Sequence, residues 1–188
     1  MKWPGSGSPP NQTELAMIGA KPGDRVLVIG AGDGRLAAGL ALVTGLNGST
    51  LVVDRAPGAQ ARVEAAARRA GALVDFDAAP AATLALADAT FDVVVVPHEL
   101  SARPAEMARI ASEAARVARP GGRVMVIEET ERTGFRRLLA RDAPRPVPTE
   151  EIRTLLSDAG LRAARVLAEV DGVAYVDAVK PRQPQPSQ

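Results

Sequence analysis

At 188 residues, with 46% hydrophobic content and a formal net charge of +1, the chain is expected to form one globular domain whose sheet is covered on both faces. Its 20 Arg and 3 Lys balance 22 acidic residues, so no net field draws it to nucleic acid; without cysteine it has no disulfide, thiolate nucleophile or zinc–thiolate site. No apolar run is long enough to span a membrane, and the opening MKWPGSGSPP lacks the apolar stretch of a secretory signal, so a cytoplasmic location is expected.

Residues 1–10 and 181–188 are rich in Pro, Gly, Ser and Gln and lack apolar periodicity. They read as a flexible arm and a disordered tail around a domain spanning 11–180. Trp3 in the arm is either a loose packing contact or a residue that folds over a ligand.

The first strand signal is Arg25–Ile29 (RVLVI), which runs into Gly30, Gly32 and Gly34, followed at once by a helical pattern over Arg35–Thr44. Glycines at such a junction let the backbone turn sharply and let a ligand approach main-chain N–H groups with no Cβ in the way. Ile29, Gly30, Ala31, Gly32 and Gly34 are therefore read as a cofactor loop, with a plain structural turn as the alternative. A dinucleotide fingerprint requires G-x-G-x-x-G, and Arg35 occupies the place of its third glycine.

Further strand-like runs follow at Thr50–Asp54, Ala72–Phe76, Phe91–Pro97 and Arg123–Glu128, several of them continuous Val/Ile/Leu stretches suited to buried parallel strands. Helical patterns over Ala59–Ala70 and Ala105–Ala118 separate them; in the second, Met107, Ile110, Ala114 and Val117 form one apolar stripe. A last helix is expected over Glu150–Ala159, with Thr149 as N-cap and Gly160 as its stop. The alternation predicts a doubly wound α/β sheet. Arg162–Val170 and Val173–Lys180, joined by Asp171-Gly172, then read as an antiparallel hairpin, so the mostly parallel sheet of seven strands ends without another crossover.

Gly-x-Gly-x-Gly after the first strand, the segment Arg116-Val-Ala-Arg-Pro-Gly-Gly-Arg-Val-Met-Val-Ile-Glu128 and the terminal hairpin together resemble the class I S-adenosylmethionine (SAM) methyltransferases. The likeness covers roughly Lys21 to Pro181. Phe91-Asp92-Val-Val-Val-Val and the Pro-Gly-Gly segment are similar to the group containing the ubiquinone/menaquinone C-methyltransferases, although Pro97-His98-Glu99-Leu100 departs from that group's sequence after strand four. The resemblance implies a Rossmann-like methyltransferase fold, SAM as cofactor with S-adenosylhomocysteine (SAH) as product, and a methyl acceptor, a small molecule favoured over RNA or protein. A non-catalytic scaffold subunit of the same fold is the alternative of a different class. Oligomeric state stays open, a homodimer included.

The resemblance also implies roles for particular residues. Asp54, twenty residues after Gly34, would accept both ribose hydroxyls, or else is a solvated turn carboxylate. Arg55 would lie beside the adenosine, Asp77 and Ala78 near the adenine amino group (Asp75 and Asp88 compete for that part), and Pro97 would complete the cofactor contacts. The family usually carries an acidic residue two positions before the first loop glycine, where it helps hold the methionyl ammonium; here that position is Val28, and Asp33 or a backbone carbonyl would have to substitute. Pro120-Gly121-Gly122 is expected to form a tight helix-to-strand turn of architectural value.

His98, the one histidine, and Glu99 are the candidate catalytic bases at the mouth of the sheet; a cofactor-bordering or helix-capping role for His98 is the alternative. Together with Glu128 and Glu129 they form either a solvated carboxylate cluster or an oxygen-rich metal site, and no metal is expected. Arg132, Phe135, Arg136, Arg137, Arg141 and Arg145, in the long connection Glu129–Pro148, suggest a mobile lid recognising an anionic acceptor, or simply a charged solvent-facing helix.

Overall fold

The computed structural model describes residues 12–129, 145–170 and 172–182. In chain order the elements are α1 (Gln12–Ile18), β1 (Arg25–Ile29), α2 (Arg35–Thr44), β2 (Ser49–Val53), α3 (Ala59–Ala70), β3 (Asp75–Asp77), β4 (Phe91–Pro97), α4 (Glu99–Ala102), a 3-10 turn (Pro104–Glu106), α5 (Met107–Val117), β5 (Ala118–Glu129), α6 (Thr149–Asp158), β6 (Arg162–Val170) and β7 (Val173–Val179). The strands form one sheet in the order β3-β2-β1-β4-β5-β7-β6. The first five strands are parallel, β7 runs antiparallel to β5, and β6 pairs antiparallel with β7 at the edge. The expected doubly wound sheet with a terminal hairpin is thus present.

Successive side chains of a strand point to opposite faces, and the three central strands sort their apolar residues accordingly. Leu27 and Ile29, Val94 and Val96, and Val124 and Val126 pack with Ile110, Ala114, Ile152 and Leu156 of α5 and α6. Val26 and Val28, Val93 and Val95, and Met125 and Ile127 pack on the other side with Ile18, Ala37, Leu40 and Val63 of α1, α2 and α3. Both faces are covered, which explains why these strands read as unbroken apolar runs rather than alternating ones.

The sequence expectations for β1, α2, α3 and β4 match the observed bounds residue for residue. The third strand is shorter than Ala72–Phe76, because Gly71 (φ 67°) and the bond from the Ala72 N–H to the Ala67 carbonyl use those residues to close α3. The helix expected from Ala105 begins instead with the 3-10 turn, and it stops at Val117 because Ala118 is extended and pairs with Phe91. Pro120-Gly121-Gly122 accordingly lies inside β5, opposite a register shift between Phe91 and Val93, and is not a helix-to-strand turn. A Cβ on Gly122 would come within 2.9–3.1 Å of the Arg119, Asp92 and Phe91 carbonyl oxygens, so only glycine lets the strands close there. Pro148, not Thr149, stands at the N-cap of α6, with no side-chain cap bond. Asp171 at the hairpin tip lies outside the described residues, while Gly172 has the positive φ (77°) that such a turn needs.

Two elements have no counterpart in the sequence reading, α1 and α4. Ile18 of α1 is fully buried, and the Arg123 guanidinium of β5 donates both to the Met17 carbonyl (3.4 Å) and to Asp177 Oδ2 of β7 (2.9 Å). Arg165 of β6 completes this group through Asp177 Oδ1 (3.0 Å). Arg116 is a second tie. It is bidentate to Glu113 (2.8 Å twice) and donates to the Leu84 and Leu86 carbonyls and to the Asp88 carboxylate, fixing the connection between β3 and β4. The arm at 1–10 with Trp3, and the tail from residue 183, lie outside the described residues, as do Arg132, Phe135, Arg136, Arg137 and Arg141.

Candidate functional site

Parallel strands deliver their following loops to one end of the sheet, and ligands of such folds sit in the crevice there. All the sequence-predicted cofactor residues come to that end. Gly30, Gly32 and Gly34 have φ of 104°, 51° and 83°, the left-handed conformations expected of glycine. Gly34 packs α2 against α3: a Cβ would stand 2.8 Å from the Val63 Cα and 3.0 Å from the Arg62 carbonyl oxygen. Gly32 is the opposite case, exposed and with nothing within 4 Å of where its Cβ would be, so the loop offers open space there for a ligand to approach. Arg62 of α3 donates to the Gly32 carbonyl (2.9 Å) and holds that open edge from below.

Asp54 follows β2 and is 7% exposed. Its Oδ2 accepts the Ala31 N–H (2.9 Å) and its Oδ1 the Ala56 N–H (2.8 Å), so the carboxylate is clamped beside the glycine loop with lone pairs to spare on both oxygens. The Asp54 N–H in turn donates to the Asp77 carbonyl (3.1 Å), which puts Asp77 at the end of β3 next to it; Asp77 is half-buried, and Arg55 and Ala78 are exposed on either side. Asp75 is exposed one pleat earlier and Asp88 is occupied by Arg116. Asp33, the expected substitute for the missing acid, is exposed and paired with Arg35 (2.6 Å); burial pulls its carboxyl upward, but the bonds from Arg35 win and hold it below its ordinary value.

On the other side of β1, β4 ends at half-buried Pro97. His98 follows in a left-handed conformation (φ 56°), its N–H donating to the Ile127 carbonyl (2.8 Å), with the residue exposed at the mouth. This sharp exit starts α4 immediately and turns Glu99 inward, 8% exposed. Glu99 pairs with Arg103, and its Oε1 lies 2.5 Å from the place a Cβ would take on Gly30. Glu128, fully buried at the end of β5, holds α4 by accepting the N–H groups of Leu100 (2.7 Å) and Ser101 (3.3 Å) on Oε1, while Oε2 has no hydrogen-bond partner. Burial raises the Glu128 carboxyl above its ordinary value despite those bonds.

Two residues that the sequence reading missed also reach this mouth. Glu14 of α1 is close enough to His98, Asp33 and Arg35 to feel their charges, and burial raises its carboxyl. Tyr175 of β7 is raised by burial and by the negative charge of Glu14. No periodicity links these positions, though Tyr175 carries one usable signal as the single tyrosine of the chain. Among the described residues no group of three or more His, Cys, Asp or Glu is arranged to hold a metal ion. Among them, too, no helix is long and apolar enough to cross a membrane.

The cradle suits the cofactor implied by the sequence, since an open glycine faces the crevice between the buried carboxylate of Asp54 and the exposed His98. The comparisons agree with this. An uncharacterized protein of Mycobacterium tuberculosis is 33% identical over 172 residues, covering 83% of this chain, which spans 61% of that relative's length. A SAM-dependent methyltransferase from Aquifex aeolicus superimposes with a TM-score of 0.74 at 22% identity, over 89% of this chain and 88% of that one. Magnesium protoporphyrin IX methyltransferase from Synechocystis, solved with bound SAH, gives 0.68 at 18% identity, over 90% and 80%. These likenesses carry the fold, and the SAM dependence named for the first and the SAH held by the second match the cofactor and product expected here; nothing in them singles out the ubiquinone group. The methyltransferase-domain family matches residues 26–122, more than half of the chain, and the chain belongs to that family.

Proposed function

We propose that this chain binds SAM in the crevice at the C-terminal ends of β1 to β4 and transfers its methyl group to a small-molecule acceptor. The observation that carries the reading is the pairing of an open glycine cradle at Gly32 with the clamped, buried carboxylate of Asp54 one strand away. When bound, SAM supplies an electrophilic methyl on a sulfonium, which leaves the protein mainly the work of alignment. Asp54 orients the ribose through its spare lone pairs, with Asp77 and Ala78 beside the adenine and Arg55 and Pro97 bordering the nucleoside. His98, exposed at the mouth, takes a proton from a hydroxyl or activated carbon of the acceptor. Glu14 and Tyr175 line the same mouth and bias the acceptor's orientation.

The near-zero net charge favours a small acceptor over RNA. The test is calorimetric titration of wild type and Asp54→Ala with SAH, with NAD as control. Binding of SAH by wild type, silence with NAD and a loss of about tenfold or more in the variant, as expected for hydrogen bonds to a charged acceptor, support the reading. Wild type that ignores SAH overturns it in favour of the scaffold subunit. Transfer of labelled methyl from SAM to RNA or protein, with none to small phenols, carboxylates or amines, overturns the acceptor class.

A further inference from the structure

Any ligand with an amino-acid arm brings an ammonium into the crevice, and that charge needs an anionic partner where water is thinned out. The strand order says where the arm lies. β2 carries Asp54, β1 carries the glycine loop, and β4 lies on the far side of β1, so a nucleoside seated at Asp54 directs its remaining arm toward the end of β4. Glu14 reaches the mouth from α1, and of the carboxylates carried at the strand ends three border the loop. Asp54 belongs to the nucleoside side and already receives two backbone N–H groups. Asp33 is exposed and committed to Arg35. Glu99 is buried, follows β4 directly and lies against Gly30 itself.

We propose that Glu99 is the carboxylate that receives the ammonium of the cofactor's methionyl arm, and that the contact between Glu99 and Gly30 is the subsite for it. This rests on the SAM reading given above and adds a role for a residue of this chain. Val28 cannot serve, being fully enclosed in the apolar layer beneath α1 and α2 between Val52 and Val95. Glu99 has the support such a role requires. Arg103 engages one carboxylate oxygen and leaves Oε1 turned to Gly30; Glu128 pins the first N–H groups of α4 and so fixes where Glu99 sits. Gly30 must be glycine for this approach, because a Cβ would fall 2.5–2.8 Å from the Glu99 Oε1, Cγ and Cδ atoms. A buried carboxylate is expensive to hold against a backbone turn unless a cation joins it, and Arg103 alone covers one side of it. Glu99 is thereby a binding residue, and proton transfer at the mouth falls to His98.

The experiment measures binding of three probes to wild type and to Glu99→Gln: SAH, its des-amino analogue, and 5′-methylthioadenosine, which lacks the whole amino-acid arm. Wild type should prefer SAH over the des-amino analogue by about ten- to a hundredfold, the worth of a charge-assisted hydrogen bond. Glu99→Gln should lose a similar factor for SAH and stay within about threefold of wild type for methylthioadenosine. Equal affinity of wild type for SAH and its des-amino analogue overturns the proposal without reference to any variant. So does Glu99→Gln that keeps SAH affinity, or that loses methylthioadenosine as strongly as SAH, which would make Glu99 a prop for the loop. If wild type binds methylthioadenosine and SAH not at all, both this inference and the SAM reading fall; SAH binding with no Glu99 effect removes this inference alone.

Discussion

One methyl group added at two places in the glycine loop should separate what the loop does for the fold from what it does for the ligand. In Gly34→Ala the new Cβ meets the Val63 Cα at 2.8 Å, the Arg62 carbonyl oxygen at 3.0 Å and the Ala66 Cβ at 3.1 Å. These are backbone or backbone-anchored atoms, so α2 and α3 must part. Overpacking of that kind costs about 1–3 kcal/mol, and a left-handed alanine (here φ 83°) adds roughly 1–2 kcal/mol, for a loss of about 2–5 kcal/mol. For a chain of this size that is a fall of roughly 4–20 °C in Tm. In Gly32→Ala the Cβ meets nothing within 4 Å, leaving only the left-handed strain (φ 51°), about 1–2 kcal/mol. Yet its methyl enters the space offered to the ligand, so SAH affinity should drop by about tenfold or more. Urea denaturation followed by circular dichroism, with SAH titration of the same samples, reads both effects. A Gly34→Ala protein within about 1 kcal/mol of wild type, or a Gly32→Ala protein as destabilised as Gly34→Ala, would refute the division of labour.

Arg116→Ala strips the Leu84 and Leu86 carbonyls, Asp88 and both oxygens of Glu113 of their common donor, so urea denaturation should register a loss of about 2–4 kcal/mol, and amides of the 84–88 segment should exchange faster. Glu113 gives a pH signature. Bonds from Arg116, with burial opposing and the Leu84 N–H assisting, hold its carboxyl below the ordinary value of 4.5. A lowered acid stabilises the fold above its unfolded pKa and ceases to do so as pH falls through the folded one. The stability gap between wild type and Glu113→Gln should therefore be widest at neutral pH and close as the pH drops below 4.5; a gap unchanged at low pH would contradict the assignment.

Much of the scaffold was legible because the signals were local. β1, β4, α2 and α3 are set by unbroken Val/Ile/Leu runs and by glycine stops, and neither depends on distant partners. Where the reading slipped, a tertiary partner decided. Ala72 looks like the start of a strand but finishes α3, and Ala118 looks like the last helical residue but finds Phe91 across the sheet. Pro-Gly-Gly, a turn by composition, is held in β5 by two backbone bonds to Lys180, just after β7: the Gly121 N–H donates to the Lys180 carbonyl and the Lys180 N–H to the Gly122 carbonyl. At the site, the loop and Asp54 were visible through their spacing. The inward turn of Glu99 was not, since it follows from the left-handed His98, which side-chain patterns do not foretell. Glu14 stayed hidden for another reason: only the docking of α1 carries it to His98.

The tie between α1 and the last strands sets a timetable on the ribosome. Met17 waits 106 residues for Arg123, and Arg123 a further 54 for Asp177, the carboxylate that orients its guanidinium. At 5–20 residues per second α1 therefore waits roughly 8–30 s before that tie can form. Its apolar side, Leu15 and Ile18, is what nascent-chain chaperones recognise, and β1, which needs β4 beside it, waits in the same way. Of the described elements, α1 thus leaves the ribosome well before the strands that tie it down.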